Sequence, residues 1–278
     1  MNKTPLSKPY ALQLNEINNQ LCFAALVNEE ACKVIRPGHA HPEKADTTTL
    51  FPGNSHASRI HRWAKDLAEV EVRAVSTSCR SALIAASEYV QIYCEEALKL
   101  VGSVSAIPHD PPAGGADEKL RAQLKAAGAP VIDGVFDTVI YLRRRRNNLV
   151  HANGSFRADF EKHFPAGAER LTAFWAKRPT ELGGFDFANR RIEVFTVEDG
   201  YAVMNLFRIC LSEIDGWVAG LLPLPHVVET IVKALLVRAP GLGGDLPRLV
   251  RKTRAVLELD YSERLDAATL GPMVQAAV

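Results

Sequence analysis

Between Ala57 and Ile107 the chain contains no proline and a single glycine, Gly102. These are the two residues that interrupt helices most strongly, so a stretch this long without them is committed to helix. Ile60, Trp63, Ala64, Leu67 and Ala68 recur at helical spacing, and so do Leu83, Ala86, Val90, Cys94, Ala97 and Leu98. A single helix of ~50 residues would run ~75 Å, long for a globular domain. The expectation is therefore two helices, parted near Ser76-Thr77-Ser78.

The flanking segments divide by their turn residues. Residues 11–35 read as one helix, followed by a loop from Arg36 to Ser55 that carries Pro37-Gly38, Pro42 and Pro52-Gly53-Asn54. Residues 108–115, with three prolines and two glycines, form a linker. A short amphipathic helix is expected at 116–127. A long one follows from near Val131 to near His151, with Asn153-Gly154 as its stop. Residues 155–195 read as irregular, with a small hairpin over Phe185–Phe195. Thr196-Val197-Glu198-Asp199 is a capping box with aspartate in its last position; it opens a helix to about Leu222. Shorter helices fill 225–238 and 246–270. The fold class is mainly all-α, a bundle of four or more helices. It divides into an N-terminal helix and loop extension (1–55), a helical core (56–222) and a C-terminal helical extension (223–278).

Composition limits the function classes. Hydrophobic residues make up 47% and charged residues 23%, which is ordinary for a globular chain with a real core. Lysine plus arginine number 33 against 32 acids, a net charge of +1, so any contact with nucleic acid must come from a local basic patch. The five cysteines are scattered, without a CxxC pair, as expected of free thiols in a reducing compartment. No segment reaches the ~18 uninterrupted apolar residues of a membrane span, and no signal peptide is read at the N-terminus. The expected location is the cytoplasm.

Familiar chemical motifs are missing. There is no GxxxxGK[ST] loop, no GxGxxG and no HExxH, and Gly53-Asn54-Ser55-His56-Ala57 departs from GxSxG at its fifth position. His39, His41, His56 and His61 cluster in sequence, but loop histidines among prolines are more often solvated than metal-bound. No cofactor is expected.

The informative segment is Tyr141-Leu142-Arg143-Arg144-Arg145-Arg146-Asn147-Asn148-Leu149-Val150-His151. At 100° per residue, Val135, Val139, Leu142, Leu149 and Val150 gather on one side, with Arg146 near the centre of that stripe. Arg144, Arg145 and Asn148 point elsewhere on this register. Arg144 and Arg145 read as solvated charges favoured by the helix dipole. A guanidinium on a packing face must be paired, hydrogen-bonded or lining a polar cleft. Glu88, between Ile84 and Ile92 at helical spacing, is a candidate partner for Arg146, although a surface position is the commoner lot of a glutamate. His151 follows Arg146 by five residues, about 140° around an ideal helix. The two meet at one site only if the helix end loosens or a second chain completes it. Histidine exchanges protons near neutrality, and arginine grips a phosphoryl group by two parallel hydrogen bonds. Together they suit phosphodiester cleavage by an internal 2′-hydroxyl.

Arg146-Asn147-Asn148-Leu149-Val150-His151 resembles the Rx4–6H signature of the HEPN superfamily, in which the arginine is commonly followed by a polar residue such as asparagine. The resemblance covers these six residues and the helical context of roughly 56–222. It implies a helical bundle, usually a homodimer, in which two motifs face a shared cleft. Many members are metal-independent endoribonucleases of toxin–antitoxin, phage-defence and RNA-processing systems. By this resemblance His151 is the general acid or base, Arg146 stabilises the transition state, and Asn147 positions the phosphate or His151. Arg143, Arg144 and Arg145 supply non-specific attraction for RNA. The implied partners are RNA, a second copy of the chain, and an antitoxin or regulatory protein. Some HEPN toxins carry tyrosine two residues after the histidine, where this chain has Asn153; it does not resemble the subgroup silenced by nucleotidyl transfer to that tyrosine. The alternative reading is a catalytically inactive helical scaffold that binds RNA, nucleotide or a partner protein through the same cleft.

Overall fold

The computed structural model of the chain describes residues 1–35, 45–60, 62–104, 113–151, 158–178, 185–189 and 195–278. For Ala68, His151, Ala158, Asp159, Lys162 and His163 only the backbone is described. The protein is all-α: 81% of the described residues are helical, and no strand occurs among them. The helices are α1 (Ser7–Ile35), α2 (Thr47–Leu50), α3 (Ala57–Ile60), α4 (Ala64–Val104), α5 (Ala116–Ala126), α6 (Asp133–His151), α7 (Ala158–Trp175), α8 (Val197–Leu221), α9 (Leu224–Arg238), α10 (Leu246–Tyr261) and α11 (Ala267–Ala277). No single helix among the described residues is long and apolar enough to cross a membrane.

Several of these differ from the sequence expectation. Helix α2 falls inside the expected loop from Arg36 to Ser55, and Ile60 and Trp63, read as apolar positions of one helix, are half exposed where α3 ends and α4 has yet to begin. Helix α4 is one helix of 41 residues and does not part at Ser76-Thr77-Ser78. The hydroxyls there bond back into their own helix, Thr77 Oγ1 donating to the Arg73 carbonyl at 2.7 Å and Ser78 Oγ to the Ala74 carbonyl at 3.1 Å. Serine and threonine compete with a helix only when their hydroxyls find backbone groups in another conformation. Helix α7 occupies part of what reads as irregular sequence, despite Pro165 inside it. Phe160, Phe164, Ala168, Leu171 and Trp175 form one stripe along it, all buried. Burying that stripe outweighs the hydrogen bond lost at the proline. The 246–270 segment is two helices, divided at Ser262, whose φ of 51° is left-handed and cannot continue a right-handed helix. The expected hairpin falls partly outside the described residues. Its described start, Phe185–Asn189, is a turn held by Asp186, whose carboxylate accepts from the Ala188 N–H at 2.8 Å.

The chain folds into two compact units. One comprises Met1–Leu12, Glu88–Ile140 and Phe207–Val278. Its core joins Val90, Cys94 and Val101 of α4, Leu120 and Leu124 of α5, Val135 and Phe136 of α6, and Ile214 and Val218 of α8, none of them exposed. The Phe136 ring stacks on Trp217 at 5.9 Å. Helices α9, α10 and α11 pack together around Val228, Val232, Leu249, Leu257, Leu270 and Val274. Arg121 of α5 pairs with Asp133 and Asp137, anchoring the start of α6. Asp133 also pairs with Lys125, and that contact first, then Arg121, holds its carboxyl below the usual carboxylate range.

The other unit comprises Gln13–Ser87 and Tyr141–Leu206. Its core takes Leu14 and Leu21 from α1, Cys79 and Leu83 from α4, Tyr141, Leu142 and Leu149 from α6, the stripe of α7, and Val203 and Leu206 from α8. The capping box of α8 forms as expected: Asp199 N–H donates to Thr196 Oγ1 at 3.1 Å, and Thr196 N–H donates to the Asp199 carboxylate at 3.0 Å.

Candidate functional site

The segment singled out by the sequence is the second half of α6, and it lies wholly in the second unit. Its buried side is set by Tyr141, Leu142, Arg145, Asn148 and Leu149. On a helical wheel these fill an arc of about 120° with Arg145 in the middle. The arginine at the centre of the packing face is therefore Arg145, at 1% exposure, and Asn148 beside it is fully buried. Arg146 sits at the edge of that face, half-buried. This corrects the expectation that Arg145 is a solvated charge and that Asn148 points away from the core. The signal is the i, i+4, i+8 row Tyr141–Arg145–Leu149; a register drawn through Val135, Val139, Leu142, Leu149 and Val150 centres on Arg146 instead, and Val150 proves exposed, outside the packing face.

Aromatic side chains explain why a buried guanidinium is tolerated here. Arg145 lies over the Phe195 ring at 4.7 Å and the Phe185 ring at 5.2 Å. Phe185 meets Phe187 edge-on at 4.9 Å. Tyr141 packs against Phe160, Phe164 and Phe187, and its hydroxyl donates to the Phe187 carbonyl at 2.7 Å. Burial pushes the Tyr141 phenol up, and the adjacent Arg145 charge opposes that shift. Phe195 is tied in turn to α4, its N–H donating to Ser76 Oγ at 3.4 Å. Among the described residues Arg145 Nε and Nη1 have no hydrogen-bond partner, so the ring faces carry most of its compensation.

That arrangement predicts a contrast between two substitutions. Arg145→Ala removes the stem as well as the charge and is expected to lower unfolding free energy by about 3 kcal/mol. Arg145→Met keeps the stem between the rings and removes a desolvated charge, so it should fall within about 1 kcal/mol of the parent or above it. Urea unfolding of both variants checks this; equal losses would show that the charge, rather than the packing, carries the contact.

The other basic residues, Arg143 and Arg144, are half-buried on α6. Arg146 makes a contact with direct bearing on the site: its Nη1 donates to Asn147 Oδ1 at 3.0 Å. On the helix Asn147 stands about 100° from Arg146 and about 40° from the position of His151. Arg146 and the backbone position of His151 remain about 140° apart on the helix. His151 ends α6 as its last helical residue. Glu88 is exposed on α4. Of the clustered histidines, His56 is exposed and His39, His41 and His61 lie outside the described residues, as does the Asn153-Gly154 stop. No group of three or more histidine, cysteine, aspartate or glutamate side chains placed to hold a metal occurs among the described residues.

No protein-family model matches the chain, and no curated protein or solved structure matches it.

Proposed function

We propose that the chain is a metal-independent endoribonuclease of HEPN type, acting in a toxin or defence setting, with its site at the end of α6. The observation that supports this reading most is the Arg146–Asn147 hydrogen bond, which ties the arginine to the amide that follows it, four residues before His151 ends the helix. An arginine oriented by a neighbouring amide and followed one turn later by a histidine suits an internal phosphoryl transfer. The RNA 2′-hydroxyl attacks the adjacent phosphorus, and the P–O bond to the 5′-oxygen breaks. His151 takes the proton from the 2′-hydroxyl or gives one to the departing 5′-oxygen. Arg146 meets the charge that accumulates on the non-bridging oxygens, where a planar, permanently charged fork is most effective. A second copy of the chain, as the family resemblance implies, supplies a second His151 for the complementary proton transfer. An antitoxin or regulatory protein restrains the activity.

The chemistry predicts the products. Cleavage should persist in a chelator and leave a 2′,3′-cyclic phosphate and a 5′-hydroxyl, as read by end-group analysis of a labelled oligoribonucleotide. Activity abolished by chelator and restored by a divalent cation would overturn the metal-free mechanism. Tight RNA binding without any cleavage would favour the inactive scaffold.

A further inference from the structure

Three cations on α10 have no carboxylate left to pair with. Arg248, Arg251 and Lys252 are exposed in its first two turns and fall within about 100° of one another on the helix. Ala255 continues the same line, whereas Arg254 stands about 120° from Arg248 and acts on Asp266. The segment from Leu224 to Val278 contains six carboxylates, and each is engaged elsewhere. Glu229 pairs with Lys233, Glu258 with Arg264, Asp260 with Lys8 and Glu263 with the Met1 amino group. Asp245 and Asp266 cap α10 and α11, accepting from the Arg248 and Thr269 N–H groups. Among the described residues the head groups of Arg248, Arg251 and Lys252 have no ion-pair partner.

Their placement carries a cost that no described residue offsets. Arg248 is in the first turn of α10, where the helix dipole disfavours a cation. It also lies at i, i+3 and i, i+4 from Arg251 and Lys252, spacings at which like charges repel. An external anion relieves both terms. In a chain of net charge +1, three such cations on one face make a local site for a polyanion.

We infer that this face of α10 binds the sugar–phosphate backbone of a nucleic acid. It belongs to the first unit, whereas the candidate site on α6 lies in the second. Contacts from arginine and lysine to phosphates position a strand without reading its bases, so the surface grips nucleic acid irrespective of sequence. A membrane fits less well. A helix that lies at a lipid surface needs an apolar face to sink among the acyl chains, and Leu249, Val250 and Leu257 of α10 are buried against its neighbours α9 and α11. Leu259 is its one exposed large apolar side chain.

The test uses the full chain and a labelled 2′-O-methyl oligouridylate, which lacks the free 2′-hydroxyl that internal cleavage needs. The parent should bind it with an affinity that falls steeply as salt rises. The triple variant Arg248→Ala, Arg251→Ala, Lys252→Ala should bind about tenfold more weakly or worse, with the salt slope reduced by about 2. A control triple, Lys33→Ala, Arg73→Ala, Lys233→Ala, removes the same net charge from ion-paired positions and should stay within about twofold of the parent. All six positions are exposed helical sites where alanine favours the helix, so both variants should fold. Equal weakening of the two triples, or no binding by the parent, overturns the assignment. Vesicles of phosphatidylserine and phosphatidylcholine form a second arm; a parent that binds them and not the oligonucleotide overturns it in favour of a membrane. The nuclease reading is tested apart, on unmodified RNA. If that RNA is not cleaved while the α10 triple alone loses oligonucleotide binding, the nuclease reading falls and this surface stands.

Discussion

His151→Ala is expected to reduce RNA cleavage by about 10²–10⁴-fold while leaving RNA affinity close to that of the parent. In the proposed mechanism the His151 imidazole supplies proton transfer more than affinity for the polyanion. Arg146→Ala is expected to lower the rate by about 10²–10³-fold, the usual loss when one preorganised donor to a developing oxyanion is removed. It should also weaken binding and reduce its salt dependence, because a phosphate contact goes with it. Asn147→Ala removes the hydrogen bond to the Arg146 guanidinium and should fall between the parent and Arg146→Ala. Single-turnover cleavage, with titrations at several salt concentrations, separates these effects. Cleavage by His151→Ala within tenfold of the parent would place the chemistry elsewhere on the molecule.

The largest loss of stability is expected far from that segment, at Asp215. This carboxylate is buried at 1% exposure on α8 and has four donors around it. Thr4 N–H and Ser7 Oγ reach Oδ2 at 2.7 and 2.8 Å; Thr4 Oγ1 and Tyr93 Oη reach Oδ1 at 2.6 and 3.0 Å. Burial, then the negative charge of Asp215, pushes the Tyr93 phenol well above its ordinary value, so it remains a donor. Asp215→Ala strands the Thr4 amide and the Thr4 and Tyr93 hydroxyls without their acceptor. At about 1–3 kcal/mol for each buried unsatisfied group, partly relieved by water, the expected loss is about 3–5 kcal/mol. On the scale for chains of this size, that corresponds to a fall in Tm of about 10 °C. Asp215→Asn should lose only about 1–2 kcal/mol. Its oxygen can face the Thr4 amide while its NH₂ faces the two hydroxyls, which rotate to accept. Denaturant unfolding distinguishes the two variants; an alanine variant as stable as the asparagine one would show that the cluster is not a support of the fold.

Much of the architecture was legible in the chain because helix formation is local. The Thr196–Asp199 box and the Pro52-Gly53-Asn54 break each act over one or two turns, and each appears in the structure at its expected position, while the proline-free stretch after Ala57 is mostly helical. Helix α7 was hidden because Pro165 and Gly167 are locally unfavourable, and the burial of Phe160, Phe164, Leu171 and Trp175 that overrides them is a property of the packed unit. The serine–threonine triplet in α4 looked like a break for the same reason in reverse: whether its hydroxyls bond back into the helix depends on the helix being held by its surroundings.

At the candidate site the division is sharper. Residue types and spacing alone determined that an arginine, an asparagine and a histidine follow one another on the last turns of a helix, the feature on which the proposal of phosphoryl transfer rests. Which arginine is buried, and that Arg146 bonds to Asn147, was decided only by tertiary structure. A helical wheel is symmetric until something packs against it. The aromatic cluster of Phe185, Phe187 and Phe195, remote in sequence, packs on the row Tyr141–Arg145–Leu149 and so makes Arg145 the interior residue. That choice leaves Arg146 at the edge of the packed face, with its guanidinium bonded to Asn147.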